Sequence, residues 1–197
     1  MLPFFEIHAY ALLGNHYHLL LKVCSQKEIL AHILKIENGK RTVAMCNILE
    51  EGEDTSLVSK TSLVSSPSSK GMDVLIDELL VHQIQRMSIS YTKSLNNQTG
   101  RTGHLFNRPF KRCMINFESR YKYMMYYIHH NARKHGFVND FLQYKHHSYF
   151  EILDQSSSLI SGNRILKAFN GIDNFINFHK MTHHEDEIVN IVIEDDF

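Results

Sequence analysis

The stretch IHAYALLGNHYHLLLKV, residues 7–23, decides the fold of this chain, because two apolar runs flank the pair Gly14-Asn15. Glycine and asparagine both tolerate positive φ, so the pair predicts a tight turn between two antiparallel strands. Residues two apart on a strand share a face, so His16 and His18 are expected to point the same way. Two imidazoles held side by side on a rigid strand form a ready pair of metal ligands.

The histidine pair carries little weight by itself. The chain contains 14 histidines in 197 residues, so pairs at this spacing also arise by chance. One alternative is therefore a metallohydrolase, or an unrelated globular protein, in which the pair is accidental. Support for a metal site has to come from other parts of the chain.

The composition is that of an ordinary globular protein. With 197 residues, 43% of them hydrophobic, the chain is long enough for one domain with a normal core. Its three scattered cysteines form no CxxC pair, which suits a reducing cytoplasm. We expect a soluble cytoplasmic protein, since no segment reads as a membrane span or a signal peptide.

Charge is strongly segregated although the formal net charge is zero, from 21 basic and 21 acidic residues. Between Arg101 and His135, eight basic residues stand against the single acid Glu118, and aromatic residues are interleaved with them. Residues 182–197 contain six acids and no Lys or Arg. A basic and aromatic block is typical of single-stranded nucleic-acid binding. The alternative is a solvated helix face over an aromatic core.

Outside the hairpin, apolar residues at helical spacing predict helices over residues 26–36, 73–95 and 118–134. The run Asn96–Gly100 should stop the second helix, and Asn116 should cap the third. A strand of about five residues is expected to end at Ile115. The serine-rich passage over residues 50–71 indicates a flexible insertion.

One stripe of the third predicted helix carries Tyr123, Tyr127 and Asn131, spaced four residues apart. Side chains at this spacing lie one above another on the same helix face. Packing against a sheet accounts for Tyr123. It does not account for an inward Asn131, because a buried amide needs hydrogen-bond partners.

Five short blocks resemble, in this order, the signatures of the single-tyrosine HUH transposases, and within them the branch of REP-associated tyrosine transposases. The blocks are NHYHLLL (15–21), RTGHLF (101–106), YIHHN (127–131), GFV (136–138) and HSY (147–149). The resemblance covers most of residues 6–150 outside the insertion. It implies an α+β fold with a ferredoxin-like antiparallel sheet and helices on one face, the HUH endonuclease fold.

The resemblance implies that His16, His18 and Asn131 hold a divalent cation, Mg²⁺ or Mn²⁺, and that Tyr127 is the catalytic nucleophile. In this family the tyrosine attacks single-stranded DNA, which leaves a 5′-phosphotyrosine and a free 3′-OH for rejoining. A phenol has an unperturbed pKa of ~10, so its proton must be drawn off during attack. The neighbouring Tyr126 lies about 100° around the helix and is expected to face away. The implied function is DNA transposition by strand nicking and joining.

The resemblance implies that single-stranded or hairpin DNA lies along the basic block. Its cations are expected to contact phosphates, and its aromatic rings are expected to stack on bases. The six expected contacts are Arg101, Phe106, Arg108, Phe110, Lys111 and Arg112. We expect no membrane partner, and the sequence favours neither a monomer nor a homodimer.

The resemblance divides the chain into a catalytic domain, residues 1–150, and a carboxy-terminal extension with an acidic tail, residues 151–197. Tyr17 stands where the family has an aliphatic residue, and Gly14 and Ala132 where it has proline. The usual first strand and helix of the family have no counterpart here, which predicts exposed backbone groups beside the histidine strand. We therefore expect either a truncated, catalytically inactive relative that only binds DNA, or a transposase-like chain with a displaced start codon.

Overall fold

The computed structural model describes residues 4–14, 16–54, 71–106, 110–115, 118–155 and 157–183, with the backbone alone for residues 38 and 51–54. The architecture is α+β, as predicted: these residues contain seven α-helices and one antiparallel sheet of two strands. None of the described helices combines the length and the apolar character needed to cross a bilayer. The chain forms two compact units, Met1–Phe4 with Cys24–Pro109, and Phe5–Val23 with Phe110–Phe197.

The second unit contains the predicted hairpin, which the structure confirms. Strand β1 spans Phe5–Leu12 and strand β2 spans Tyr17–Val23, paired antiparallel. The N–H of Leu13 donates to the carbonyl of His16 at 2.9 Å and closes the turn between them. Gly14 makes this turn without a positive φ, and Asn15 lies outside the described residues.

The second edge of β1 is bonded to the HSY block and to the residue before it, instead of to a third strand. The N–H of Leu12 donates to the carbonyl of His146 at 2.8 Å, and the N–H of Ser148 donates to that of Tyr10 at 3.0 Å. Strand β2 has only β1 as a strand neighbour among the described residues. Because a ferredoxin-like sheet needs more strands than these two, that arrangement remains a prediction.

Helix α4, which carries the tyrosine stripe, spans Glu118–Lys134 as predicted. A Schellman motif ends it: the N–H of Phe137 donates to the carbonyl of Ala132 at 2.9 Å. Gly136 has a φ of 72°, in the left-handed region that glycine enters without strain. The motif therefore fixes the backbone of His135 at the end of the helix.

Three shorter helices complete the second unit: α5 (Tyr149–Asp154), α6 (Gly162–Ala168) and α7 (Ile172–Lys180). Their apolar residues join those of the hairpin and α4 in one core. Its members include Ala9, Leu20, Met125, Ile128, Ile152, Ile165 and Phe175. The boundary predicted at residue 150 falls within α5, and the division into catalytic domain and extension remains a prediction. The acidic tail from residue 184 lies outside the described residues, as does Asn116.

The first unit is helical in its described part. Helix α1 spans Gln26–Leu34, close to its prediction, and starts with a capping box between Ser25 and Glu28. Helix α2 spans Val43–Asp54 and was not predicted. It includes residues 50–54, which the sequence pattern assigned to the insertion, and residues 55–70 of the insertion lie outside the described residues. Helix α3 spans Met72–Thr99 and ends at Gly100.

The strand predicted to end at Ile115 is wrong. Residues 111–115 have an irregular backbone, and the side chain of Met114 is 80% exposed. A strand persists only when a neighbouring strand satisfies its backbone groups. A short apolar pattern carries no information about whether such a neighbour exists.

Candidate cation and nucleophile site

Strand β2, the residue before it and helix α4 bring together the four residues predicted to form the catalytic centre. His18 lies on β2, whereas His16 lies just before the strand begins and not on it as predicted. The ring centroids of His16 and His18 lie 5.0 Å apart, and those of His18 and Tyr127 lie 5.7 Å apart. Tyr127 and Asn131 are one turn apart on α4, and both are buried. Residues more than a hundred positions apart in the sequence therefore share one site.

Two buried atoms of this site lack a hydrogen bond of good geometry within the described ranges: Nε2 of His18 and the phenol oxygen of Tyr127. The side chain of Asn131 lies close enough to His18 to favour the protonated ring. An unsatisfied buried donor or acceptor costs about 1–3 kcal/mol, so native proteins keep few of them. Their clustering in one place is typical of a site that receives a ligand.

These residues fit a divalent cation. Burial, with a smaller effect of the His16 and His135 charges, lowers the pKa of His18 to about 4, so its ring is neutral at pH 7 and has a lone pair to give. Two imidazole nitrogens and an amide oxygen can bind a divalent ion, with Mn²⁺ accepting nitrogen more readily than Mg²⁺. Across the described residues, no three His, Cys, Asp or Glu side chains already converge on a metal position.

The two adjacent tyrosines of α4 have different surroundings. The ring of Tyr126 stacks on His130 at 3.9 Å, whereas Tyr127 lies against His18. The ammonium of Lys134 is 5.0 Å from the centre of the Tyr127 ring, where a cation stabilises negative charge on a phenolate. These contacts favour Tyr127 as the nucleophile.

A cleft of about 650 Å³ includes Tyr127 in its wall, a size within the usual range for ligand sites. The cations Arg133, Lys134 and Lys180 line it, against the single acid Asp140. Rings of Tyr123, Tyr126 and Phe141 are also part of the lining. The sequence places Arg133 and Lys134 in the basic block. It gives no signal for Lys180, which α7 supplies.

The six predicted DNA contacts are spread over both units. Arg101 and Phe106 belong to the first unit, where the Phe106 ring lies 6.4 Å from that of Tyr91. Phe110, Lys111 and Arg112 belong to the second unit, and Arg108 lies outside the described residues. The three described cations are exposed and the two phenylalanines are partly buried. Their role in DNA binding remains a prediction.

A second polar cluster, built on His129, links four parts of the second unit. Nδ1 of His179 donates to the carbonyl of Phe175 at 2.8 Å, so Nε2 of His179 accepts from Nδ1 of His129 at 2.9 Å. Nε2 of His129 then accepts from the hydroxyl of Ser148 at 2.9 Å, whose oxygen accepts the N–H of Tyr10 at 2.9 Å. These bonds join α7, α4, the HSY block and β1.

The order Ser148–His129–His179 is similar to that of a hydrolase triad, but its position rules out this chemistry. Ser148 and His129 are 0% exposed and His179 is 1% exposed. The Ser148 hydroxyl is already held by two hydrogen bonds, to His129 and from the N–H of Tyr10, and neither Ser148 nor His129 lines the cleft that includes Tyr127. The cluster is a structural device, so it gives no support to a hydrolase.

Acid should destabilise the second unit through this cluster. Burial lowers the pKa of His179 to about 3 from the ordinary 6.5. The unfolded ring takes up a proton below pH 6.5 while the folded ring stays neutral, so stability falls as the pH drops from about 6.5 towards 3. For His179 alone, the free energy of unfolding is about 2 kcal/mol lower at pH 5 than at pH 7.5.

Urea unfolding at pH 7.5 and pH 5 measures this effect. We expect His179→Gln to be less stable than the wild type at pH 7.5 but to lose about 2 kcal/mol less on acidification. An identical pH dependence in both proteins would contradict the prediction.

Compared with protein-family models, with curated proteins and with solved structures, the chain matches none of them.

Proposed function

We propose that this chain is a metal-dependent, transposase-like enzyme that cleaves and rejoins single-stranded or hairpin DNA through a 5′-phosphotyrosine on Tyr127, with the HUH arrangement of its fold. The observation that carries the proposal is the meeting of His16, His18 and Asn131 with Tyr127 in one cluster. Within it, the phenol oxygen of Tyr127 is buried with no hydrogen-bond partner among the described residues, and Nε2 of His18 is buried beside Asn131.

The chemistry follows from these side chains. The phenol oxygen of Tyr127 bonds to phosphorus while the bond to the 3′-oxygen breaks. The phenol loses one proton and the 3′-oxygen gains one, so no net proton is released. Lys134 stabilises the developing phenolate. His16, His18 and Asn131 would hold a divalent cation, which supplies charge neutralisation at the scissile phosphate.

Helix α4 holds the nucleophile and a cation ligand in one rigid frame, since Tyr127 and Asn131 are one turn apart. Fixing reacting groups in this way can be worth ~7 kcal/mol or more. The phosphotyrosine retains the energy of the broken phosphodiester, so rejoining to another 3′-OH needs no ATP.

The proposal is tested by incubating the full chain with single-stranded hairpin DNA and Mn²⁺. We expect a protein–DNA adduct that survives denaturation and is absent when a chelator is added first. His18→Ala should form no adduct, because it removes one cation ligand. An adduct that forms equally well with the chelator would contradict a metal-dependent mechanism.

A second candidate is a relative that binds DNA without cleaving it. It is favoured by the sheet, in which β2 has only one strand neighbour among the described residues. Hairpin binding with no adduct under any metal would support this candidate over the enzyme.

The cleft beside Tyr127 should contact the DNA strand. We expect the double variant Arg133→Gln/Lys180→Gln to reduce the slope of log affinity against log salt by about 1.4, since each phosphate contact on a single strand contributes ~0.7. Fluorescence anisotropy with a labelled oligonucleotide, measured over a salt series, gives this slope.

The matched control is Lys145→Gln/Lys167→Gln, which removes two exposed cations of the same unit that do not line the cleft. It should leave the slope unchanged. Equal effects of the two double variants would show that the cleft is not the contact surface.

A further inference from the structure

His135 extends the histidine pair to a row of three rings. The ring centroids of His16 and His135 lie 5.1 Å apart, and those of His16 and His18 lie 5.0 Å apart. His135 also continues the helical stripe of Tyr127 and Asn131, because it follows Asn131 by four residues. The resemblance assigned no role to this residue.

These separations suit imidazoles that share one ion. An imidazole nitrogen bonds a transition ion at about 2.0–2.1 Å, and the ring centre lies roughly 1.1 Å beyond that nitrogen, so two rings on a tetrahedral ion have centroids about 5 Å apart. Both neighbouring pairs in the row are at this distance.

The position of His135 also suits a ligand at the rim of the site. Its backbone is fixed by the Schellman motif: its N–H donates to the carbonyl of Asn131 at 3.0 Å, and Gly136 follows. Its side chain is exposed, and its ring lies beside that of His16. Binding an ion would require the side chains to rotate, because three donors do not yet converge within the described ranges.

We propose that His135 is a third imidazole ligand of the cation site, which makes this site selective for a nitrogen-preferring transition ion over Mg²⁺. This inference rests on the proposed function, because it completes the same site. Mg²⁺ prefers an all-oxygen octahedral shell, whereas Zn²⁺, Co²⁺ and Ni²⁺ bind imidazole well. A third imidazole therefore adds affinity for these ions and adds none for Mg²⁺.

Calorimetric titration of the full chain with Zn²⁺ and with Mg²⁺, without DNA, tests this assignment. Replacing a residue that only supports a metal ligand weakens metal affinity by about 10–100-fold. The loss of a ligand itself should reach the upper end of that range, so we expect His135→Ala to weaken Zn²⁺ binding by roughly 100-fold. Mg²⁺ binding should not change. His18→Ala should lose both ions, and His146→Ala, which removes an exposed histidine of the same unit, should bind both like the wild type.

The outcomes separate this inference from the proposed function. If His135→Ala binds Zn²⁺ like the wild type while His18→Ala does not, His135 is not a ligand and the proposed site stands. If the wild type binds neither ion, the cation site of the proposed function fails. Zn²⁺ binding that survives in both variants places the ion on other histidines and overturns the inference.

Discussion

The Tyr127→Phe variant is expected to form no covalent adduct with DNA, a loss of at least ~10³-fold relative to the wild type. The phenol oxygen is the atom that bonds to phosphorus, and no other side chain can replace it in the same position. Denaturing gel electrophoresis with labelled hairpin DNA and Mn²⁺ measures the adduct. DNA affinity should be nearly unchanged, because the aromatic ring remains.

The same substitution should not destabilise the protein. The Tyr127 hydroxyl is buried and has no hydrogen-bond partner within the described residues. Removing an unsatisfied buried group relieves a cost of about 1–3 kcal/mol, so the free energy of unfolding should stay the same or rise. If Tyr127 served only in packing, Tyr127→Phe would leave adduct formation unchanged. Loss of the adduct together with unchanged stability therefore indicates a chemical role for the hydroxyl.

Tyr126→Phe is the matched control for both measurements. Its ring stacks on His130 and lies on a different side of the helix from His18, so the adduct should form normally. An adduct that persists in Tyr127→Phe and disappears in Tyr126→Phe would reassign the nucleophile.

His129→Ala should cost at least ~4 kcal/mol in the free energy of unfolding. Deleting a large buried side chain costs ~2–5 kcal/mol through the cavity it leaves. The change also leaves the Ser148 hydroxyl and Nε2 of His179 without their partner, at about 1–3 kcal/mol each. Since native proteins have about 5–15 kcal/mol of stability, a large part of the total would be lost. Urea unfolding at pH 7.5 measures the difference.

His146→Ala is the control, because the side chain of that histidine is exposed and lies against the Tyr144 ring, while its backbone bond to Leu12 is kept in the variant. It should stay within ~0.5 kcal/mol of the wild type. A loss below about 1 kcal/mol in His129→Ala would mean that neighbouring groups or water replace the lost bonds, and that the cluster does not hold the unit together.

The sequence predicted the elements that local rules control. The hairpin followed from two apolar runs around Gly14-Asn15, and helix α4 followed from its periodicity and from Gly136. Both signals are local because strand alternation and helix capping involve residues a few positions apart. The spacing of Tyr127 and Asn131 on one stripe is of the same kind.

Other features depend on partners that lie far away in the sequence. The strand expected before Ile115 is absent, because a neighbouring strand has to supply its hydrogen bonds. Lys180 reaches the cleft, and His179 reaches His129, through the packing of α7. A pattern of nearby residues contains no information about such contacts.

The histidine pair shows the same division. The sequence by itself determined that Tyr127 and Asn131 share a helix face, because backbone geometry fixes the direction of side chains along one element. It also placed His18 on the second strand of the hairpin, whereas His16 lies one residue before that strand begins. Only the tertiary structure decided that these two elements meet, that His135 joins them, and that the polar atoms between them are buried. Burial and proximity arise from the packing of distant segments, which depends on the whole core and not on any one stretch of the chain.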